Sequence, residues 1–206
     1  MKKRLALIMA MLTVTCSFAA CGKDADTVND QVTADVTADD NAAADTVTED
    51  VQDDAPEGFY HSELTNELID ESLKDQRPIA AMVDNELYAL PHYGLSENAD
   101  VVYEMMNSTA NGRITRFMVL VKDWEKIEQL GSIRSVRPTN LILAAEWNAV
   151  VCHDGGPFYI DEYLAHPWTD HFSGTFSRVN NGKPREYTEY IVSGDLDRNF
   201  SSTGVS

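Results

Sequence analysis

Apolar and polar positions divide this chain into three parts. A short apolar run, Leu5 to Val14, follows Met1-Lys2-Lys3-Arg4; a polar stretch fills 22–57; from there to 206, apolar clusters recur at the spacing of a folded domain. Within that last part, Ile79-Ala80-Ala81-Met82-Val83 is a continuous apolar run after Pro78, which predicts a buried strand opening onto Asp84-Asn85. Asp100 to Met106 and Ile114 to Lys122 read as two further strands, joined by a loop containing Asn111-Gly112, and so as an antiparallel hairpin. In the second of these, Ile114, Arg116, Met118 and Leu120 fall on one face, and Thr115, Phe117, Val119 and Val121 on the other. Apolar side chains on both faces predict a central strand. Thr139 to Trp147, rich in Leu and Ala, predicts a helix, Ala149 to Cys152 another strand, Phe158 to Leu164 a short helix and Tyr187 to Val192 a last strand. This order predicts an α/β fold, a mixed-sheet sandwich with flanking helices.

The first two parts bear on location. The basic start, the apolar run and the small-residue approach Phe18-Ala19-Ala20-Cys21 read as a lipoprotein signal peptide over 1–20, with cleavage before Cys21. The new N-terminal cysteine would carry a diacylglyceryl anchor, placing the protein on the extracytoplasmic face of the cell membrane. Ordinary secretion, with cleavage near Ala20, is the alternative; a membrane-spanning helix needs about 20 apolar residues, more than this run supplies. From 22 to 57 the chain has twelve Asp and Glu against Lys23 alone, a charge of −11 out of the chain's −18, and no aromatic residue. Such a segment cannot offset its chain entropy by burial and predicts a disordered acidic tether of about 30–36 Å or more. Its carboxylates lack the spacing of a calcium loop.

Residues 58–206 carry a charge of −10 and no cluster of Lys and Arg, which argues against nucleic acid as a partner. With Cys16 in the leader and Cys21 acylated, Cys152 has no partner, so the domain is expected to fold without a disulfide.

Six blocks in order carry a resemblance: Arg77-Pro78-Ile79-Ala80-Ala81-Met82-Val83-Asp84-Asn85, Gly94-Leu95-Ser96, Ala99-Asp100-Val101-Val102-Tyr103-Glu104, Ile114-Thr115-Arg116-Phe117, Ile133-Arg134-Ser135-Val136-Arg137-Pro138 and His153-Asp154-Gly155-Gly156. Together they resemble the YerB-like lipoproteins, a family of unknown function found mainly in Gram-positive bacteria. The resemblance is best over about 77 to 160. It implies a tethered lipoprotein with a YerB-like α/β domain over 58–206 and a second, C-terminal domain that this chain does not include. It supplies no established reaction. The family's Pro-His-Asn segment before a Tyr-Thr pair is replaced here by Pro184-Arg185-Glu186-Tyr187-Thr188.

Polar residues at predicted strand ends form the candidate binding set: Asp84 and Asn85, Arg134 and Arg137, and His153 and Asp154. In open α/β sheets such loops converge on a crevice, and if the strands are parallel these six residues share one site. Arg134 and Arg137, next to a helix start, suit a carboxylate or phosphate. The structural reading stands beside this one: Arg134 pairs with Asp84 or Glu104, Arg116 pairs with Glu104 across the hairpin, and Asp154-Gly155-Gly156 is a turn.

Catalytic readings are less specific, and no catalytic residue is assigned. Cys152 and His153, neighbours on a strand, point to opposite faces and read as core rather than as a dyad. Asp84 and Glu104 could form the carboxyl pair of a wall hydrolase. His153, His166, Asp170 and His171 lack the spacing of a zinc motif, and neither metal nor cofactor is expected. Trp147, Tyr159, Tyr163 and Trp168 could stack sugars or pack. The reading is therefore a membrane-anchored lipoprotein with an envelope ligand- or partner-binding domain, the alternatives being a cell-wall hydrolase and a structural or assembly protein.

Overall fold

The computed structural model describes residues 54–110 and 112–205. The leader, Cys21 and nearly all of the acidic tether lie outside the described residues. The elements in chain order are β1 (Phe59–His61), β2 (Leu68–Asp70), β3 (Ile79–Asp84), α1 (Leu95–Asn98), β4 (Val101–Met106), β5 (Thr115–Val121), β6 (Gln129–Gly131), α2 (Pro138–Glu146), β7 (Val150–His153), α3 (Asp161–Leu164), β8 (His171–Ser173), β9 (Ser177–Arg178), β10 (Glu189–Val192) and α4 (Asp195–Thr203).

The main sheet has five strands in the order β4-β5-β3-β7-β8. β3 runs antiparallel to β5 and parallel to β7, so the sheet is mixed as the sequence predicts. Its centre is β3, whose six residues are all buried, because apolar side chains alternate onto two cores. Ile79, Ala81 and Val83 join Val119, Val121, Cys152 and Phe172 on one face, against Leu130 of β6, Ile191 of β10 and Leu196 of α4. Ala80, Met82, Met118, Leu120 and Val151 line the other face, against Leu141 and Ala144 of α2. A small sheet in the order β6-β10-β9, with α1 and α4, thus covers one face, and α2 and α3 cover the other. Cys152 is a fully buried core thiol whose pKa burial raises, consistent with the packing reading.

At their C-terminal ends β3 and β7 part, and the segment 132–136 enters between them. The Asp84 amide donates to the Ser132 carbonyl (2.9 Å), Arg134 to Met82 (2.9 Å), Asp154 to Arg134 (3.0 Å) and Val136 to Gly155 (3.1 Å). Ile133 also donates to the Glu189 carbonyl at 2.7 Å, tying the wedge to the small sheet.

Two expectations change. The helix expected over 158–164 forms only at Asp161–Leu164, because a turn from Pro157 to Ile160 takes up its first residues. Arg116 does not pair with Glu104. The register sets Arg116 opposite Asp84 on β3 and Met105 on β4, while Glu104 faces Phe117 on the other side of the sheet.

Candidate functional site

Asp84 ends β3 fully buried and would be costly there without counter-charges. The Arg134 Nε lies 3.0 Å from Asp84 Oδ2, and the Arg116 Nη2 lies 3.7 Å from the same oxygen. Oδ1 accepts the Glu86 amide at 2.9 Å, an Asx-type turn that bends the chain away from the strand. Arg116 is itself buried and donates to the Ser135 carbonyl (2.5 Å), Ser135 Oγ (2.9 Å) and Asn107 Oδ1 (3.0 Å). Burial pulls its guanidinium from 12.5 down to about 10, with Asp84 opposing the shift and Arg134 and Arg137 adding to it.

Arg134 continues outward, donating to the Glu186 carboxylate at 3.0 Å and lying 5.0 Å over the Tyr187 ring. Arg137 is spent locally on the Asn107 and Val136 carbonyls at 3.0 and 2.9 Å and on Ser135 Oγ at 3.2 Å. Its amide donates to Asn140 Oδ1 at 2.9 Å, closing the start of α2. These arginines hold the wedge in place, and their donors are turned toward protein rather than toward an open anion site.

β3 and β7 are parallel neighbours, so the condition for a shared strand-end crevice is met. Alternation nevertheless divides the predicted residues. His153 lies on the helix face with Val151, and Asp154 turns toward the small sheet. His153 Nδ1 sits 2.8 Å from the Gly155 carbonyl, and Nε2 sits 3.1 Å from His171 Nδ1. A carbonyl only accepts, so His153 carries its proton on Nδ1 and takes a hydrogen bond from His171. Burial lowers the His153 pKa to about 4, leaving the ring neutral at pH 7. Asp154 pairs with Arg178 at 2.9 Å, and Arg178 also holds Glu189, a fully buried carboxylate of β10. Burial, with a hydrogen bond that the protonated Glu189 donates to the Asp154 carboxylate, raises Glu189 from 4.5 to about 7.

Asn85 turns the other way from Asp84, donating to Thr115 Oγ1 at 2.9 Å and Glu104 Oε1 at 3.2 Å. It opens a cleft of about 430 Å³ lined by Asn85, Glu86, Leu87, Tyr88, Arg113, Ile114, Thr115 and Tyr187. Leu87 and Tyr88 are 81% and 62% exposed, large apolar groups held in solvent by the turn after Asp84. The Tyr187 hydroxyl donates to Glu86 Oε2 at 2.6 Å, and the Tyr88 and Tyr187 rings are 5.5 Å apart. Of the predicted set, Asn85 alone lines this cleft. Asp84 and Arg134 lie behind it, against Glu86 and Tyr187, and Arg137, His153 and Asp154 are not among its lining residues. The signal for it was the short apolar run Leu87-Tyr88-Ala89-Leu90 after the polar Asp84-Asn85-Glu86.

A family model described as "Protein of unknown function (DUF3048) N-terminal domain" matches residues 64–206. The chain belongs to the DUF3048 family. One relative from Bacillus subtilis (strain 168), named "Putative lipoprotein YerB", is 30% identical over 135 residues, which is 62% of this chain and 39% of that protein. The crystal structure of the Bacillus subtilis YerB protein is similar with a TM-score of 0.62 and 26% identity, over 70% of this chain and 50% of that one. The chain thus spans well under two thirds of the length of either.

The DUF3048 region contains the whole wedge, both arginine-carboxylate networks and the cleft. Other proposed groups have separate local partners. Asp170 pairs with Arg77 at 2.6 Å, His166 stacks on Trp168, and the Trp147 indole donates to the Tyr103 hydroxyl at 3.2 Å. Tyr159 meets Phe158 edge to face and Tyr163 meets His166 edge to face, so among the described residues the four aromatics do not stack on one another. Among the described residues no group of three or more His, Cys, Asp and Glu is placed to hold a metal ion.

Proposed function

We propose that this chain is an extracytoplasmic lipoprotein, anchored through Cys21, whose DUF3048 domain binds an envelope ligand in the cleft at the end of β3. The observation that carries this reading is the exposed Leu87 and Tyr88 at the mouth of a cleft of about 430 Å³, within the range of small-ligand sites. Exposed apolar groups next to fixed hydrogen-bonding groups favour a ligand with both characters. The Asp84–Arg116–Arg134 network supports the cleft from beneath rather than contacting the ligand, since its donors are taken by protein acceptors.

The location rests on the leader sequence and on the lipoprotein name of the Bacillus subtilis relative. The hydrolase alternative has less support: Glu189, the carboxyl raised toward neutrality, is fully buried and tied to Arg178.

The test is a thermal-shift screen of the mature chain, with Cys21→Ser to keep it in solution, against muropeptides, wall sugars and anionic metabolites. A ligand that raises the melting temperature of this protein and not of its Tyr88→Ala or Asn85→Ala variants supports the cleft. Stabilisation undiminished in both variants would move the site elsewhere.

A further inference from the structure

The cleft holds three groups whose hydrogen-bonding capacity the protein leaves open. Asn85 spends its amide N–H groups on Thr115 and Glu104, and its Oδ1 has no partner among the described residues. Glu86 gives Oε2 to the Tyr187 hydroxyl, and Oε1 has no partner among them. The Arg113 side chain makes no ion pair or hydrogen bond there either. Arg113, Glu86 and Asn85 therefore line, with a cation, a carboxylate oxygen and an amide carbonyl to spare, a space whose remaining walls are Leu87, Tyr88, Ile114, Thr115 and Tyr187.

Resting on the cleft reading above, we propose that its ligand is a short peptide with both a free carboxylate and a free amine. Arg113 takes the carboxylate as a forked donor, Glu86 and the Asn85 carbonyl take the ammonium, and Leu87 and Tyr88 cover the apolar side chains between. The volume suits this class: about 430 Å³ accommodates a di- or tripeptide, which spans about 10 Å when extended. A neutral sugar fits less well. It would stack on Tyr88, but it would take water from a guanidinium and a carboxylate without supplying a counter-charge to either. A purely anionic ligand would meet Glu86, and a purely cationic one Arg113, so the two charges select a ligand that carries both.

Trialanine, acetyl-trialanine, trialanine amide and N-acetylglucosamine should be titrated into the ¹⁵N-labelled mature chain, following the amide resonances of Asn85, Tyr88 and Thr115. Trialanine is expected to shift all three, and blocking either end to weaken binding about 10- to 100-fold, the worth of a charge-assisted hydrogen bond. Arg113→Gln should abolish the discrimination against the amide, and Glu86→Gln the discrimination against the acetyl form. Equal binding of free and blocked peptides, or shifts with N-acetylglucosamine alone, overturns the peptide assignment and leaves the cleft as a binding site. No shift at these residues with any of the four, when a ligand found by thermal shift still loses its effect in Tyr88→Ala, also overturns the peptide. If that ligand keeps its effect in the variant, the cleft reading fails with it.

Discussion

Asp84 and Glu189 show how differently two buried carboxylates can be accommodated. Asp84 sits between two guanidinium groups and an amide donor, so the charged form has partners on each side. Removing Arg116 would leave both Asp84 and the Ser135–Asn107 acceptors without their buried donor. Arg116→Ala is expected to cost about 3–5 kcal/mol in urea denaturation. Arg134→Ala should cost less, about 1–3 kcal/mol, since Arg116 remains and water reaches the partly open Arg134 position. Equal losses would mean that the inner arginine is not the main counter-charge.

Glu189 shares Arg178 with Asp154, and burial raises it from 4.5 to about 7. The folded state therefore binds a proton that the unfolded state has already released between pH 4.5 and 7. Stability from this group is present in full below pH 4.5, falls as pH rises toward 7 and then levels off, a span of up to about 3 kcal/mol. Glu189→Gln keeps the neutral shape at every pH. Its stability relative to the natural protein should accordingly rise from pH 5 to pH 8, measured by denaturation at each pH. A difference independent of pH would show that Glu189 titrates normally.

At the scale of elements, the seating of α1 against β6 depends on close backbone approach. Gly94 precedes α1 with φ at 75°, and a Cβ there would lie 1.8 Å from the Gln129 carbonyl oxygen of β6. Gly182 has the same φ of 75° with nothing within 4 Å. Gly182→Ala should cost about 1 kcal/mol from left-handed strain alone, and Gly94→Ala clearly more than about 2 kcal/mol because α1 must also move off β6. Similar losses in thermal denaturation would contradict this contact.

The elements that were legible in sequence are those long enough to show a period. β3, β5 and β7 are apolar runs with strand length, and α2 has a Pro at its first position and five consecutive apolar residues, Leu141 to Ala145. β1, β2, β6, β8 and β9 have two or three residues each, too few for alternation to register. Pairing of 132–136 between β3 and β7 is set by tertiary contact, and Ile133-Arg134-Ser135-Val136 carries no local sign of it. The same limit applies to the site. Asp84 facing Arg134 was one of the pairings that the residue types suggested, whereas Arg116 opposite Asp84 needed the register of β5. Glu86, Tyr88, Arg113 and Tyr187 meet from three separate loops, and nothing in their spacing marks them as neighbours.

For the whole molecule, the chain's charge makes the proposed lipid anchor a sharp test of location. Residues 22–57 carry −11 and 58–206 carry −10, so neither part is drawn to an anionic membrane surface, where attraction requires clustered Lys and Arg. Without acylation the mature protein would have no electrostatic means of staying there. A diacylglyceryl cysteine supplies two chains, the number that stable anchoring needs, with about 0.8 kcal/mol for each buried CH₂. Cys21→Ser, expressed with its own leader, is expected to move from the membrane fraction to the medium and to stay there at low and high salt alike. Mass spectrometry of the membrane-bound natural chain should find its first residue to be Cys21, bearing the lipid. Salt-insensitive retention of Cys21→Ser on membranes would instead place the anchor in an uncleaved leader, and retention lost at high salt would point to a charge-mediated partner. Either result would separate the location of this domain from the acylation of Cys21, and the ligand search would then have to follow the new location.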